Sequence, residues 1–376
     1  MNKIYVSIII VLLFGCSPTD LKDPDAYEQI WVESSTPIYE LTEIHPGGTF
    51  TDPGAGYGRF PNIISNNAGV VITTWGIDSI FVKVSRDSGN NWSDKIFISE
   101  GINGGGLTFN RSNNEVLFFF ESFHPVGSEI FLVKSNNFFD TFSKTNVTNQ
   151  FSPHSVHMND HGIILESNKH SPGRIIIPTR NYGNANNEEN WPIHYSNSFY
   201  SDDNGESWNV GGQFPVYGTG EGSVVELKNG DLIYNSRRHY SSTNYIETRN
   251  RNIAYSYDGG LNWTNHEIDL ELPDGDQCWD YGLMGSLINV PYPEKDFFLF
   301  SNIDSECGRE NGTIWFTNEN DDSNWRKKLI FQGSFAYSSI TFNINPETKE
   351  DEIFIFFESN FGGTILKTNL AFLKAN

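Results

Sequence analysis

Residues 85–92 read SRDSGNNW, and the same Ser-x-Asp-x-Gly-x-x-Trp pattern returns as SDDNGESW (201–208) and SYDGGLNW (256–263). Degenerate copies, SNNFFDTF (135–142) and TNENDDSNW (317–325), give five turns at intervals of roughly 50 to 65 residues, which is typical of propeller blades. In such a turn Ser and Asp bond neighbouring backbone amides, Gly supplies a positive φ, and Trp covers the turn with apolar surface. The repeat therefore predicts a β-propeller.

The composition predicts an all-β protein with very little helix. Aromatic residues make up 14% of the 376 residues and Gly contributes 34, which favours short strands joined by tight turns. Strand-like apolar runs recur as GVVITTW, EVLFFFES, GRIIIPTR, DLIYNSRR, DFFLFSN and EIFIFFES. Residues 37–376 have room for six blades of four strands, so we expect a six-bladed β-propeller whose last blade is closed by strands from both chain ends.

The first residues predict export. An early lysine precedes an apolar run from Ile4 to Phe14, which is too short to span a bilayer comfortably and is typical of a signal-peptide core. The LFGC ending resembles a bacterial lipobox, which implies cleavage before Cys16 and a lipid on its sulfur; the alternative is an ordinary signal peptide. We predict a signal peptide over 1–15, a tether over 16–36, and a cell-envelope location, periplasmic or on the outer-membrane surface, with membrane contact only through that lipid.

The net charge of the chain excludes one class of binding partner, and its two later cysteines leave two possibilities open. A net charge of −22 argues against nucleic acid, because phosphate binding needs a basic surface. An acidic protein that binds an acidic ligand has to gather its few arginines in one place. Cys278 and Cys307 either form a disulfide or stay as two thiols, and they carry no metal-binding spacing. We expect no cofactor and no metal.

The octets resemble the Asp-box, or BNR, repeat of sialidases (neuraminidases), in which they are structural turns at the blade periphery. Further segments resemble sialidase motifs in the family's order. GYGRFPNII resembles the Phe/Tyr-Arg-Ile-Pro motif and places Arg59 at its arginine, although Gly58 and Phe60 depart from the pattern. GTGEGSVVELKNGDLIYNSRR resembles the stretch that carries the catalytic glutamate and the second arginine, here Glu221 and Arg237.

Three later segments complete the set that the resemblance implies. CGRENGTIWF resembles the segment with the third arginine, here Arg309, and GSFAYSSITF resembles the segment with the catalytic tyrosine, here Tyr337. IFIFFES resembles the strand whose glutamate, here Glu358, steadies the first arginine. The resemblance thus implies that Arg59, Arg237 and Arg309 together bind the carboxylate of an acidic sugar.

The chemistry needs these residue types. Three guanidiniums give bidentate, always-charged recognition of a carboxylate. A carboxylate nucleophile would be repelled by the carboxylate of the substrate, and sialidases use a tyrosine instead. Because tyrosine has an ordinary pKa near 10, it needs a base beside it. We therefore predict a sialidase-like retaining exo-glycosidase that releases a terminal acidic sugar, sialic acid or a related one, with Tyr337 as nucleophile and Glu221 as base.

The sequence departs from the sialidase motifs at the residue that would act as general acid. Sialidases supply it from an aspartate between the first arginine motif and the first Asp box, and Asp78 is the sole aspartate there before the box. We predict Asp78 as the proton donor; the alternative is that it caps a tight turn in WGIDS.

A histidine-containing segment supplies a second candidate. SPHSVHMNDHGIILESNKHSPGRIIIPTR resembles the sialidase stretch Gly-Pro-Gly-x-Gly-Ile, with residues 158–160 replacing Gly-Pro-Gly. We predict His161 as an alternative acid/base and His157 as a substrate contact. A metal bound by His154, His157 and His161 would need a helix, which this β-rich context does not support.

Two rival functions stay open. The first is a lyase or dehydratase that acts by elimination on uronate-rich or sulfated oligosaccharides, with His161 or His157 and Tyr337 moving the proton. The second is a glycan-binding propeller without turnover. Fold alone does not separate them. In every case the expected partner is an acidic oligosaccharide or glycoconjugate.

Overall fold

The computed structural model describes residues 31–46, 59–123, 127–151, 156–158, 160–183, 185–239, 249–275, 278, 282–292, 295–318 and 321–375. The predicted signal peptide and most of the predicted tether lie outside these residues. Within them the chain is almost entirely β, with one short α-helix, α1 (Leu370–Lys374). The expectation of very little helix is confirmed for this part of the chain.

The described strands form six antiparallel sheets arranged as a six-bladed propeller, which confirms the predicted fold class. The N-terminal strand is β1 (Tyr39–Pro46). Blade 1 holds β2 (Asn62–Ser65), β3 (Val71–Trp75), β4 (Ser79–Ser85) and β5 (Ile96–Glu100). Blade 2 holds β6 (Ile102–Asn110), β7 (Glu115–Glu121), β8 (Ile130–Ser135) and β9 (Ser143–Asn146). Blade 3 holds β10 (Val156–Met158), β11 (Ile163–Ile164), β12 (Ile175–Asn181), β13 (Tyr195–Ser201) and β14 (Asn209–Val210).

The second half of the chain repeats this order. Blade 4 holds β15 (Thr219–Glu226), β16 (Leu232–Arg238), β17 (Asn250–Ser256) and β18 (Thr264–Pro273). Blade 5 holds β19 (Ser286–Val290), β20 (Phe297–Ile303), β21 (Glu310–Asn318) and β22 (Asp321–Ser334). Blade 6 holds β23 (Ser338–Ile344), β24 (Asp351–Ser359) and β25 (Gly362–Thr368), and its fourth strand is β1.

Blade 6 closes the ring with strands from both ends of the chain. β1 pairs with β25 in antiparallel register, with Leu41 opposite Leu366. The predicted closure is therefore confirmed. It joins residues that are far apart in sequence, so the circle depends on hydrogen bonds between the first and last strands described.

The six apolar runs of the sequence are the second strands of the six blades, β3, β7, β12, β16, β20 and β24. A second strand has neighbouring blades packed on both of its faces, so both faces are buried and much of its length is apolar without alternation. β24 is the extreme case, because every residue from Asp351 to Ser359 is buried. This explains why these runs were the easiest strands to predict.

The chain ahead of β1 also packs on the propeller. Val32 forms an isolated bridge with Glu350, and the Ser34 amide donates to Asp351 Oδ1 at 2.6 Å. Trp31 belongs to the core of blades 5 and 6. Residues 31–34, which the sequence assigned to the tether, therefore pack against the propeller.

The Asp boxes form the turns that their sequence predicts. In blade 4, Ser256 Oγ donates to Asp258 Oδ1 at 2.8 Å, and the Gly260 amide donates to Ser256 Oγ at 2.8 Å. The Asn262 amide donates to Asp258 Oδ1 at 2.9 Å, and Trp263 is buried beneath the turn. The Ser, Asp, Gly and Trp that the three octets share thus each have a hydrogen bond or a packing role in this turn.

The same bonds recur in the other copies, around Asp87 and Asp203. In the degenerate octet of blade 2, Asn137 replaces the aspartate and accepts from the Thr141 amide at 3.0 Å. The degenerate segment in blade 5 includes residues outside the described part. These turns follow the third strand of their blades, so they lie on the face opposite the starts of the innermost strands.

Cys278 and Cys307 form a disulfide, with their Cα atoms 5.1 Å apart. Of the two possibilities that the sequence left open, the structure has the paired one. The disulfide lies two residues before Arg309. Among the described residues, no helix has the length and apolar character needed to cross a membrane.

We expect Asp258→Ala to lower the free energy of unfolding by about 1–2 kcal/mol, because the variant leaves the Asn262 amide and the Ser256 hydroxyl without their acceptor. Urea titration with a constant m-value measures this loss. Asp94→Ala, which removes an exposed aspartate next to another box, is the control and should stay within about 0.5 kcal/mol of the wild type. Equal losses in the two variants would contradict a structural role for the box.

Candidate active site

Tyr337, Glu221 and Arg237 form one hydrogen-bonded cluster near the propeller axis. Tyr337 lies in the connection between β22 and β23, Glu221 lies in β15 and Arg237 near the end of β16. The Tyr337 hydroxyl donates to Glu221 Oε1 at 3.0 Å, and Arg237 Nη1 donates to the same hydroxyl at 2.7 Å. Arg237 Nη1 also lies 2.5 Å from Glu221 Oε2. The proton of the tyrosine thus points at a carboxylate.

Arg59 is fixed by Glu358. Its Nη1 lies 3.0 and 2.9 Å from the two carboxylate oxygens, and the Phe60 amide donates to Glu358 Oε1 at 3.0 Å. The guanidinium of Arg59 stands 4.7 Å from the centre of the Tyr337 ring. The structure therefore brings Arg59 and Glu358 together, next to the tyrosine.

Arg309 approaches the same ring from blade 5. Its guanidinium carbon is 5.6 Å from the ring centre of Tyr337, and that of Arg237 is 5.8 Å from it. Within the described residues, the buried Nη1 of Arg309 has no hydrogen-bond acceptor. Three arginines that the sequence placed far apart thus converge on one tyrosine, and one of them still has a donor to offer.

Glu221 stays ionised despite its burial. Burial alone would raise the pKa of Glu221. The charges of Arg237, Arg180 and His157 lower this pKa by more than burial raises it, so it lies well below the usual range of a glutamate. Arg180 Nη1 contacts Glu221 Oε1 at 3.4 Å. A carboxylate is therefore present beside the Tyr337 hydroxyl at neutral pH.

The sequence interpretation missed Arg180 and the two histidines that it contacts. Arg180 Nη2 donates to Nδ1 of His194 at 2.8 Å and to Nδ1 of His239 at 2.6 Å. An arginine has only donors, so both Nδ1 atoms accept and both rings are neutral. Burial, and then the charge of Arg180, lower the pKa of His194 to about 4 and that of His239 well below its usual value.

One feature of the sequence could have pointed to Arg180, namely its position in the second strand of its blade. Arg180 is the next-to-last residue of β12, and Arg237 is the next-to-last residue of β16, which is the same position in the following blade. Glu358 holds this position in β24. The ends of the second strands therefore reach the same face as the starts of the innermost strands, and polar residues there belong to the site.

His157 lies at the base of the cluster with a partner that the sequence did not suggest. Its Nδ1 donates to Glu121 Oε1 at 2.7 Å, and both side chains are buried. Its ring centre is 5.0 Å from that of Phe60, and it pairs across the sheet with Arg180. The structure thus places His157 beside the cluster, in the half formed by blades 2 and 3.

Asp78 lies on the correct face but apart from the cluster. It is exposed in the turn between β3 and β4, where its φ is +66° and its carbonyl accepts from the Gly101 amide at 3.1 Å. In the described structure no hydrogen bond or ion pair joins its carboxylate to Tyr337 or Glu221. Its role as proton donor stays a prediction.

His161 lies one layer below the cluster. Its Nδ1 donates to Asp160 Oδ1 at 3.0 Å. Asp160 in turn contacts Ser223 and Ser339, each two residues further along the chain than Glu221 and Tyr337. No described hydrogen bond joins His161 to Tyr337 or Glu221. The described contact of the His161 ring is thus the one from Nδ1 to Asp160, and its acid/base role stays a prediction.

Metal chemistry finds no support in the described ranges, where no three His, Cys, Asp or Glu side chains are placed to hold an ion. His154, one of the three histidines considered as ligands, lies outside the described residues.

A six-bladed propeller with Asp-box turns defines a BNR-repeat protein. The chain belongs to the family of BNR repeat-like domains, whose sequence profile matches residues 76–347. A sialidase of Micromonospora viridifaciens is 33% identical over 147 residues, 38% of this chain and 21% of the relative. A sialidase of Paraclostridium sordellii is 28% identical over 203 residues, 50% of this chain and 45% of the relative. The chain spans less than half the length of these curated relatives.

Solved structures share the fold. A Hadza microbial sialidase, Hz136, superposes with a TM-score of 0.65 at 20% identity, over 85% of this chain and 69% of that one. The intramolecular trans-sialidase from Ruminococcus gnavus gives 0.65 at 15% identity, over 89% of this chain and 98% of that one. The family profile confirms the predicted BNR repeat, and these solved sialidase structures confirm the predicted sialidase-like fold.

The neutral histidines beside Arg180 predict acid sensitivity. Their pKa values are lowered in the folded state, so the unfolded chain binds more protons below about pH 6.5 and stability falls as the pH drops towards 4. We expect the pH slope of the unfolding free energy to fall by about one proton in His194→Gln, whose amide oxygen still accepts from Arg180. Denaturant titrations between pH 7 and 5 measure this slope.

His170→Gln, a histidine of blade 3 outside this network, controls for the loss of a histidine as such. A wild type whose stability is flat over this pH range, or an unchanged slope in His194→Gln, would contradict buried neutral histidines.

Proposed function

We propose that this protein is a retaining exo-glycosidase that releases a terminal acidic sugar, sialic acid or a close relative, from a glycan or glycoconjugate. The observation that carries the proposal is the Tyr337 hydroxyl, held between Glu221 and Arg237 with three arginines around its ring. The sialidases among its relatives support the same class of reaction.

The charges of the cluster support an anionic ligand. Glu358 binds Arg59, while Arg237 and Arg180 share Glu221. Arg309 has no carboxylate partner among the described residues, and its Nη1 has no acceptor there. Four arginines thus face two carboxylates, so the cluster has an excess of positive charge, and Arg309 Nη1 offers an open donor beside Tyr337, which suits the carboxylate of an acidic sugar.

In the proposed reaction, Arg59, Arg237 and Arg309 hold the substrate carboxylate and so fix the anomeric carbon above Tyr337. The tyrosine oxygen attacks this carbon as Glu221 takes the hydroxyl proton, and the bond to the leaving oxygen breaks. The glycosyl–Tyr337 intermediate is then hydrolysed by water, which gives overall retention. A neutral nucleophile avoids repulsion from the substrate carboxylate, and the ionised Glu221 is ready to accept the proton.

The leaving oxygen needs a proton, and we propose Asp78 as its donor. Asp78 is exposed on a turn at the face where the cluster opens, and its carboxylate has no other described partner. His161 is left out of this role because it lies one layer below the cluster, where its Nδ1 binds Asp160.

We also propose that the enzyme is a cell-envelope lipoprotein anchored through Cys16. The apolar run and LFGC ending of the sequence support export. The disulfide between Cys278 and Cys307 fits the oxidising conditions of that compartment.

The test of the function follows two products at once. Wild-type protein is incubated with sialyl-lactose and with uronate-rich or sulfated oligosaccharides, and free sialic acid and the absorbance of new carbon–carbon double bonds are recorded. We expect sialic acid release with retention, seen by NMR, and a loss of about 10³-fold or more in Tyr337→Phe, which keeps the ring beside Arg59.

Tyr195→Phe, a tyrosine of blade 3 outside the cluster, is the control and should keep full activity. Unsaturated products would instead identify an eliminating enzyme. Tight binding of the glycans with neither product would identify a binding protein, and either result would overturn the proposal.

Asp78 is tested with substrates whose leaving groups differ. In Asp78→Asn we expect activity on sialyl-lactose, whose leaving alkoxide needs a proton, to fall about 10²-fold or more. Activity on an aryl glycoside with an acidic phenol should fall much less, because that phenolate leaves unprotonated. Asp94→Asn is the control. Equal losses on both substrates would rule out Asp78 as the general acid.

A further inference from the structure

The carboxylate of Asp160 lies fully buried on the propeller axis. It belongs to the connection between β10 and β11, and hydroxyls from three other blades donate to it. Ser223 donates to Oδ2 at 2.7 Å, Ser286 donates to Oδ2 at 2.5 Å, and Ser339 donates to Oδ1 at 2.8 Å. These serines lie in β15, β19 and β23, the innermost strands of blades 4, 5 and 6.

The remaining blades join the same network. The Gly106 amide of blade 2 donates to the Asp160 carbonyl at 2.8 Å, and the Ile63 amide of blade 1 donates to Ser339 Oγ at 3.3 Å. His161 of blade 3 donates to Oδ1. One residue thus connects the innermost parts of all six blades, directly or through a single hydroxyl.

The register ties this network to the cluster above it. Ser223 follows Glu221 by two residues, and Ser339 follows Tyr337 by two residues. Two residues along a strand span roughly 7 Å, and residues i and i+2 share one side. Asp160 therefore joins β15, which contains Glu221, to β23, which begins directly after Tyr337, one step below the pair.

The bonding pattern requires an ionised acceptor. Each serine hydroxyl that donates to Asp160 also accepts from a backbone amide, so its own proton is left to donate. Ser223 Oγ also lies 3.3 Å from the Gly285 carbonyl, but its contact to Asp160 is shorter, at 2.7 Å. Bonds to an ionised acceptor are shorter and stronger than neutral ones. An asparagine has one acceptor oxygen and one NH₂ group, so it cannot receive all of these protons.

The position of Asp160 is also a departure in sequence. Residues 158–160 read Met-Asn-Asp where the resemblance to sialidases leads one to expect Gly-Pro-Gly. The segment that carries the axial carboxylate thus departs from the motif that it resembles.

We propose that Asp160 is a positioning residue. It sets the relative position of Tyr337 and Glu221 along the propeller axis by joining β15 and β23 across that axis. It touches neither substrate nor the reacting atoms. The proposal rests on the proposed function for its kinetic consequence, but the geometry of the pair can be measured without turnover.

The test compares Asp160→Asn with Asp351→Asn. Asp351 is also a buried aspartate; it accepts from the Ser34 and Leu370 amides at the start of β24, at the opposite face. We expect both variants to melt at lower temperature. Only Asp160→Asn should lower kcat, by about 10-fold or more with KM within about 3-fold, because misplacement of the reacting groups affects the chemical step more than binding.

A second readout is the ¹³Cζ chemical shift of Tyr337, assigned by its loss in Tyr337→Phe. It reports on the hydrogen bond to Glu221 and should change in Asp160→Asn but not in Asp351→Asn. If Asp160→Asn does not fold, Ser339→Ala removes one of the bonds and should shift the same resonance and lower kcat.

The outcomes separate the two proposals. A wild type that releases no acidic sugar overturns the proposed function alone, and the Tyr337 resonance still decides the role of Asp160. An unchanged resonance together with unchanged kcat in Asp160→Asn, at lowered melting temperature, would reduce Asp160 to a purely structural residue.

Discussion

The buried carboxylate of Asp160 on the propeller axis joins the innermost strands of several blades, and the arrangement of the blades depends on this contact. Burial of a charge costs free energy unless it is paired or fully hydrogen-bonded. Asp160 meets this condition with three serine hydroxyls and His161, and no apolar substitute could satisfy those hydroxyls together. The axis is thus held by directional bonds, while the apolar second strands hold the blades against one another.

The same principle organises the face above. Glu221 and Glu358 are also buried carboxylates, and arginines rather than hydroxyls compensate them. A protein with a net charge of −22 thereby keeps a local group of arginines without repulsion among them. Arg309 lacks such a partner in the described structure, and Arg180 and Arg237 share Glu221, so the group is short of negative charge. An acidic sugar supplies a charge of that sign.

The fold could be predicted because its signals lie within short stretches of sequence. The site could be predicted only in part, because its residues are far apart in the chain. An Asp box is closed by bonds within eight residues, and a second strand is apolar along its own length, so both appear in the sequence. Tyr337 and Glu221 are 116 residues apart, and only the resemblance to sialidases joined them beforehand. Arg180 and its histidines meet through three separate loops and strand ends, and no local pattern describes that meeting.

His161 shows a second limit of a sequence resemblance: its acid/base role stays a prediction, and the structure gives its ring a neighbour that the motif does not contain. Its segment was aligned with a stretch that faces the sialidase pocket, and that alignment led to an acid/base role. The neighbouring Asp160 changes the local chemistry, because a buried carboxylate takes the imidazole as a donor. Where the motif that this segment resembles has a glycine-rich turn, Asp160 places a charge, and the serines of the axis bind it. A motif carries its function to a new chain only where the residues beneath it are equivalent.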